Sequence, residues 1–292
     1  MLDLLTAQTK KRFWFVRHLR FKMPAFGLLL LAYAFCCLVS DLQTNARCAE
    51  ATPGPRRSKS TTDYQAGHLE ADQEIWFNSF SDDNVLFKAA KRLKNAKVVV
   101  LCNSGVTDAG ITFLSKFNGI ESLTITRCNR VSQNAMSAIG KMTGLIELNV
   151  EGTQFKDNGL YELRGLSKLK KLSMVDCPVT GKGFEGLATL PIKELSLVCS
   201  DITDENIANI ASISTIEMLD LTFSKVTDRG VRHLIRLRHL KCLSLFGTHI
   251  TNRSFQVFFR MQSLRQLSIR FTDTTTMDCE AMSATMPWLR LN

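Results

Sequence analysis

Two consecutive stretches near the C-terminal end decide the fold: IEMLDLTFSKVTDRGVRHLIRLRH, Ile216 to His239, and LKCLSLFGTHITNRSFQVFFRMQS, Leu240 to Ser263. Placed one under the other they share a template. Leu219 and Leu221 stand over Leu243 and Leu245, and Ser224 stands over Thr248. A template that returns at a fixed step marks a stacked-repeat architecture, in which each unit supplies part of its neighbour's core.

The same spaced aliphatic pair recurs on both sides of this stretch. It reads Ile75/Phe77, Val99/Leu101, Leu123/Ile125, Leu148/Val150, Leu172/Met174, Leu195/Leu197, Leu219/Leu221, Leu243/Leu245 and Leu267/Ile269. One residue between the members is the period of a strand, so both side chains point inward and the residue between them faces out. Three residues past each pair stands Ser104, Cys128, Thr153, Cys177, Ser200, Ser224, Thr248 or Thr272. A small hydrogen-bonding side chain there can satisfy backbone groups where the chain turns between rungs. Cys128 and Cys177 are therefore read as structural, reduced thiols in a ladder that other rungs build with Ser or Thr. Cys199, on the rung beside Cys177, is placed to pair with it in an oxidising compartment.

After the turn come Thr107-Asp108, Thr203-Asp204 and Thr227-Asp228, whose oxygens suit the free amides at a helix start. Apolar residues at three-residue steps follow: Ile111/Leu114/Phe117, Leu160/Leu163/Leu166, Ile207/Ile210/Ile213 and Val231/Leu234/Leu237. That spacing predicts short helices burying one narrow face.

The pattern LxxLxLxx(N/C/T/S) followed by (V/I)TDxG resembles the leucine-rich-repeat superfamily, most of all its cysteine-containing subclass, over residues 72–292. The resemblance implies an α/β solenoid of about nine repeats, with a curved parallel sheet on the concave side and short helices on the convex side. It also implies recognition of a macromolecule, since the subclass occurs in F-box-type adaptors and in secreted or membrane-attached bacterial proteins. Residues 72–95 depart from the template and read as an N-terminal cap: Phe80 replaces the small ladder residue, the turn is two residues shorter and the helix longer. Residues 264–292 lose the TDxG signature and read as a C-terminal cap carrying Trp288 and Leu289.

Ahead of the repeats the composition changes. The net charge of +10 is concentrated in residues 1–60, with ten Lys/Arg against three acids; residues 61–292 hold 27 against 24. A near-neutral repeat region argues against a nucleic-acid groove. Residues 1–22 are basic, residues 23–40 (MPAFGLLLLAYAFCCLVS) are uncharged and apolar, and residues 41–71 contain the tether-like TPGPRRSKSTT. A basic flank before an apolar run reads as a secretory signal or as a retained transmembrane anchor. An extracytoplasmic location is therefore expected, with membrane attachment through residues 23–40 if the segment is not cleaved. Nothing in residues 1–71 resembles an F-box helical segment.

No motif for a nucleophile, a phosphate loop, a dinucleotide or a metal is found, and the nine cysteines show no CxxC and no paired spacing. No catalytic residue, cofactor or metal site is expected, and the chain is read as a non-enzyme whose partner is a protein. Asn252-Arg253-Ser254 fits a glycosylation sequon, though the turn of the repeat also explains these residues.

The outward positions after each aliphatic pair locate the candidate site. The first reads Asn78, Cys102, Thr126, Glu151, Val175, Val198, Thr222, Phe246 and Arg270, and the next reads Ser79, Asn103, Arg127, Gly152, Asp176, Cys199, Phe223, Gly247 and Phe271. The C-terminal half thus aligns Val175, Val198, Phe223, Phe246 and Phe271 as an apolar patch of the kind that marks an interface, with Asp176, Asp220 and Arg270 as its polar rim. Self-association through this patch is a further use of it. A second candidate is the basic cluster Arg229, Arg232, Arg236 and Arg238 on one helix.

Overall fold

The computed structural model describes residues 73–291, all within the second of the chain's two units, Ala46–Asn292. The expectations for residues 1–71 lie outside the described residues. Ten strands form one sheet: β1 (Glu74–Phe77), β2 (Val98–Cys102), β3 (Ser122–Thr126), β4 (Glu147–Glu151), β5 (Lys171–Val175), β6 (Glu194–Ser196), β7 (Met218–Asp220), β8 (Cys242–Ser244), β9 (Gln266–Ser268) and β10 (Arg290–Leu291). They lie in sequence order, each parallel to the next. The register pairs equivalent columns, as in Leu195↔Leu219 and Leu219↔Leu243. Both members of every spaced pair are buried, from Ile75/Phe77 to Leu267/Ile269, and they merge with the helix faces into one core. No unit has a core without its neighbours, which is why the period dominates the sequence.

The helices are short because only one or two turns separate a turn from the next strand. Helix Asp108–Leu114 buries Ile111 and Leu114, and helix Ile207–Ile210 buries Ile207 and Ile210. Several units tighten into 3-10 turns, such as Tyr161–Gly165 and Arg232–Arg236. The three-residue apolar steps match that geometry, in which residues three apart eclipse.

The small-residue ladder is buried from Ser104 to Thr248. Its side chains act on strand carbonyls. Ser200 Oγ donates to the Met174 carbonyl at 3.0 Å, Thr248 Oγ1 to Leu245 at 2.6 Å, and Cys177 Sγ lies 3.4 Å from the Val175 carbonyl. Burial pushes the thiols of Cys128 and Cys177 up from their ordinary value, which keeps them protonated and inert. Cys177 is a free thiol, so the pairing considered between it and Cys199 is not formed: Cys177 is buried beneath the rung while Cys199 is half-exposed. Cys102 is disulfide-bonded.

The Thr-Asp dipeptides do more than cap their own helices. Thr107 and Thr227 do accept from Ala109 and Arg229 amides, as expected. The aspartate next to each threonine instead reaches the following repeat. Asp204 accepts from the Thr227 amide at 2.8 Å, the Thr227 hydroxyl at 2.6 Å and the Gly230 amide at 3.0 Å. Asp83 bridges to Thr107, Asp108 to Ser132, Asp157 to Thr180 and Asp228 to Thr251 in the same way. Burial resists ionisation of Asp228, but the hydroxyls of Ser254 and Thr251 and the Thr251 amide outweigh it and hold its pKa down. The Ser of the sequon-like triplet thus has a structural task in the turn.

Both ends differ from expectation. Phe80 is 87% exposed and does not occupy the ladder; Ser81 takes the buried place, its hydroxyl accepting from the Asn78 amide at 3.3 Å. The first turn is one residue shorter than its siblings rather than two, since cap Asp82 follows Phe77 by five positions while Thr107 follows Leu101 by six. At the other end Leu289 is buried as expected but Trp288 is 54% exposed, and β10 adds a tenth rung with Leu291 in register with Leu267. That rung presents only the first aliphatic position of a pair, so the spaced signature could not reveal it.

Candidate protein-binding face

On the outer face of the sheet the residue between each aliphatic pair forms a floor. From β4 to β9 it reads Asn149, Ser173, Ser196, Asp220, Ser244 and Ser268, neighbours through the strand register. The residue one position before each pair forms one wall, with Lys171 and Glu194 ion-paired at 2.9 Å and Met218 46% exposed. Together they line a groove of about 430 Å³. Asn149 donates to the Glu147 carboxylate at 2.9 Å. Asp220 holds the amide (2.9 Å) and the hydroxyl of Thr222 on its Oδ1, and Thr222 shares a 2.8 Å bond with Ser244.

Beyond the floor, outside the lining of the groove, the chain leaves each strand. One residue per rung is left-handed here: Asn103, Arg127, Gly152, Asp176, Cys199, Phe223, Gly247 and Phe271, with φ between 49° and 66°. Asn, Asp and Gly tolerate that conformation; a phenylalanine adopts it against a steric cost of roughly 1 kcal/mol or more. Phe223 and Phe271 nevertheless adopt it, and Phe246 stands between them. The Phe223 and Phe246 centroids are 5.4 Å apart with the rings nearly perpendicular, and Phe246 and Phe271 follow at 4.9 Å. Gly247 makes this possible, because a Cβ there would lie 2.5 Å from two atoms of the Phe223 ring. Phe223 and Phe246 are half-buried and Phe271 is 59% exposed, so the three rings form a continuous ridge across three rungs.

The structure therefore brings together Phe223, Phe246 and Phe271. Val175 and Val198 share the outward column of Phe246, half-buried on the β5 and β6 rungs, outside the ring contacts. Asp176 and Arg270 are exposed on rungs four apart, about 20 Å at the ordinary strand spacing, so they flank opposite ends of the patch. Desolvation raises the Asp176 carboxyl, the charge of Arg127 opposing it. Asp220 belongs to the groove floor rather than to a rim. The sequence reading passed over the rest of that floor, although the rule that a residue between two inward neighbours faces out marks it directly. Arg229, Arg232, Arg236 and Arg238 are exposed on the helical side.

Solved structures share this architecture. An internalin (inlF) from Listeria monocytogenes str. 4b F2365 superposes with a TM-score of 0.54 at 20% identity, over 70% of this chain and 62% of its own. Internalin C2 from the same strain gives 0.51 at 21% identity, over 67% and 76%. The fold is a leucine-rich-repeat solenoid. No protein-family model and no curated protein matches the sequence, and the chain spans less than two thirds of the first internalin, so the likeness is one of fold. Among the described residues, no group of three or more His, Cys, Asp or Glu is placed to hold a metal ion, and no helix is long and apolar enough to cross a membrane.

Proposed function

We propose that this solenoid is a non-catalytic protein–protein interaction module that binds its partner on the concave face. The observation that carries this reading is the ridge of Phe223, Phe246 and Phe271, two of its rings held at left-handed backbone positions and one of them 59% exposed. A fold gains nothing from large rings at such positions, whereas aromatic anchors dominate binding energy at protein interfaces. Val175 and Val198 extend the apolar surface, and Asp176 and Arg270 frame it with charge. The buried thiols Cys128 and Cys177 support placement in the cysteine-containing subclass. The basic flank and apolar run of residues 1–40 support an extracytoplasmic protein, secreted or anchored. An intracellular adaptor that recruits a substrate to an enzyme is the alternative, and subcellular fractionation of the tagged chain separates the two.

The test of the face itself is site-specific photo-crosslinking in cells. A benzophenone side chain in place of Phe246 should capture a discrete protein, and one in place of Arg232 should not. Capture from position 232 alone would move the site to the basic helix face; a product of twice the chain's mass from position 246 would make the partner a second copy.

A further inference from the structure

We infer that the concave groove receives a cationic side chain of the partner, an alkyl-guanidinium or alkyl-ammonium group, on the carboxylate of Asp220. This inference rests on the concave-face reading and adds the chemistry of the occupant. The charges lining the groove are unequal in their circumstances. Lys171 and Glu194 neutralise one another at 2.9 Å, and Glu147 accepts the Asn149 amide. Asp220 has neutral hydroxyls on both sides in the register, Ser196 and Ser244, and no cation pairs with it among the described residues. Both of the Thr222 donors, amide and hydroxyl, sit on Oδ1, which fixes the carboxylate of a residue that lines the groove and leaves Oδ2 for another donor. The group is half-buried, and a concave, partly desolvated wall strengthens the attraction of an anion for an incoming cation. On the same rung the chain continues into Phe223 and the aromatic ridge, whose ring faces attract cations and whose apolar surface suits an alkyl stem. Arg270, exposed where the chain leaves the β9 rung, stands two rungs further along the sheet, about 10 Å at ordinary strand spacing. A pre-oriented carboxylate on the rung that leads into aromatic rings is the arrangement that selects Lys or Arg.

The inference is tested on the full chain with two probes of equal shape, N-acetyl-phenylalanyl-arginine amide and its citrulline analogue, in which a neutral urea replaces the guanidinium. Binding is followed by ligand-observed NMR at low salt, with Asp220→Asn and Phe246→Ser as variants. Asparagine keeps the Oδ1 acceptor for Thr222, so the local backbone bonds survive that change. The arginine probe should bind about fivefold to tenfold more tightly than the citrulline probe, a preference that salt weakens and Asp220→Asn abolishes. Phe246→Ser should weaken both probes alike. Equal affinity for the two probes, with Phe246→Ser still weakening both, overturns the cation site and leaves the ridge standing. Binding that neither variant alters overturns both, and no binding up to about 10 mM, weaker than roughly 3 kcal/mol of affinity, overturns the cation site.

Discussion

Asp204 and Phe223 lie on neighbouring rungs and are held in opposite ways. At Asp204 every donor is met: two amides and a hydroxyl of the next repeat converge on one carboxylate. At Phe223 the backbone is left-handed, the ring is half-exposed, and the buried hydroxyl of the adjoining Ser224 has no partner among the described residues. The first region is the joint on which stacking depends, and its residue types follow the period. The second has features that weaken the fold and are tolerated because the stack around them is secure. Conflict between a residue and its backbone, within an otherwise regular repeat, marks where the surface is shaped for something other than stability.

That contrast is broken most severely at the joint. Asp204→Ala removes a charged acceptor from three donors and should cost about 2–3 kcal/mol in chemical denaturation, with binding to a concave-face partner unchanged. A loss under about 0.5 kcal/mol would mean that the aspartate bridges do not couple the repeats. The opposite sign is expected on the ridge. Phe271→Asn should stabilise the chain by roughly 1 kcal/mol, because asparagine suits φ of 56° and the exposed ring contributes little burial; destabilisation of that size would show the ring to be structural. The ladder supplies a finer test. Ser200→Ala should cost about 1 kcal/mol through the bond to Met174, whereas Ser224→Ala should be neutral or slightly stabilising, since its hydroxyl is buried without a partner among the described residues. Cys128→Thr should cost about 1 kcal/mol or less, and a loss beyond about 3 kcal/mol would remove Cys128 from the ladder.

The smallest effect concerns pH. Lys193 and Lys241, from the rungs on either side, hydrogen-bond the Glu217 carboxylate and bring its pKa to about 2. A carboxyl whose folded pKa lies below its unfolded value adds stability that is full above the unfolded value near 4.5 and fades as pH falls toward 2. Glu217→Gln should therefore lower stability slightly above the unfolded value, leave it unchanged near pH 2 and so flatten the acid limb between those limits, a small effect because exposed ion pairs contribute little. Asp228, also shifted down, should respond in the same direction.

Most of the fold was legible because stacking makes one position recur many times. The spaced pairs, the small ladder and the helix faces each repeat at 23–25 residues, and all were found where that step places them. The aspartate bridges were read as caps within a unit, since adjacency of Thr and Asp is visible in sequence while the approach of Asp204 to Thr227 exists only once units stack. The tenth rung escaped because Leu291 alone carries no spacing. The three phenylalanines were legible on two adjoining outward columns, Phe246 on the first and Phe223 and Phe271 on the second. The left-handed backbone of Phe223 and Phe271 was hidden, because the Asn, Asp and Gly that announce it occupy other rungs. Half of the groove was missed for a simpler reason: the outward positions were followed only after each pair, and Ser173, Ser196 and Ser244 stand between its members.

The central claim is that the phenylalanine ridge is where the partner binds, and one affinity measurement tests it. The captured partner is titrated against the wild-type chain, the double variant Phe223→Ser with Phe246→Ser, and the double variant Arg232→Ala with Arg236→Ala, each verified as folded by its unfolding transition. The ridge variant should lose about 2 kcal/mol or more per ring, a thirtyfold or greater weakening for each, while the arginine variant binds as the wild type does. Wild-type affinity in the folded ridge variant, with loss in the arginine variant, would contradict the account and place the interface on the helical side.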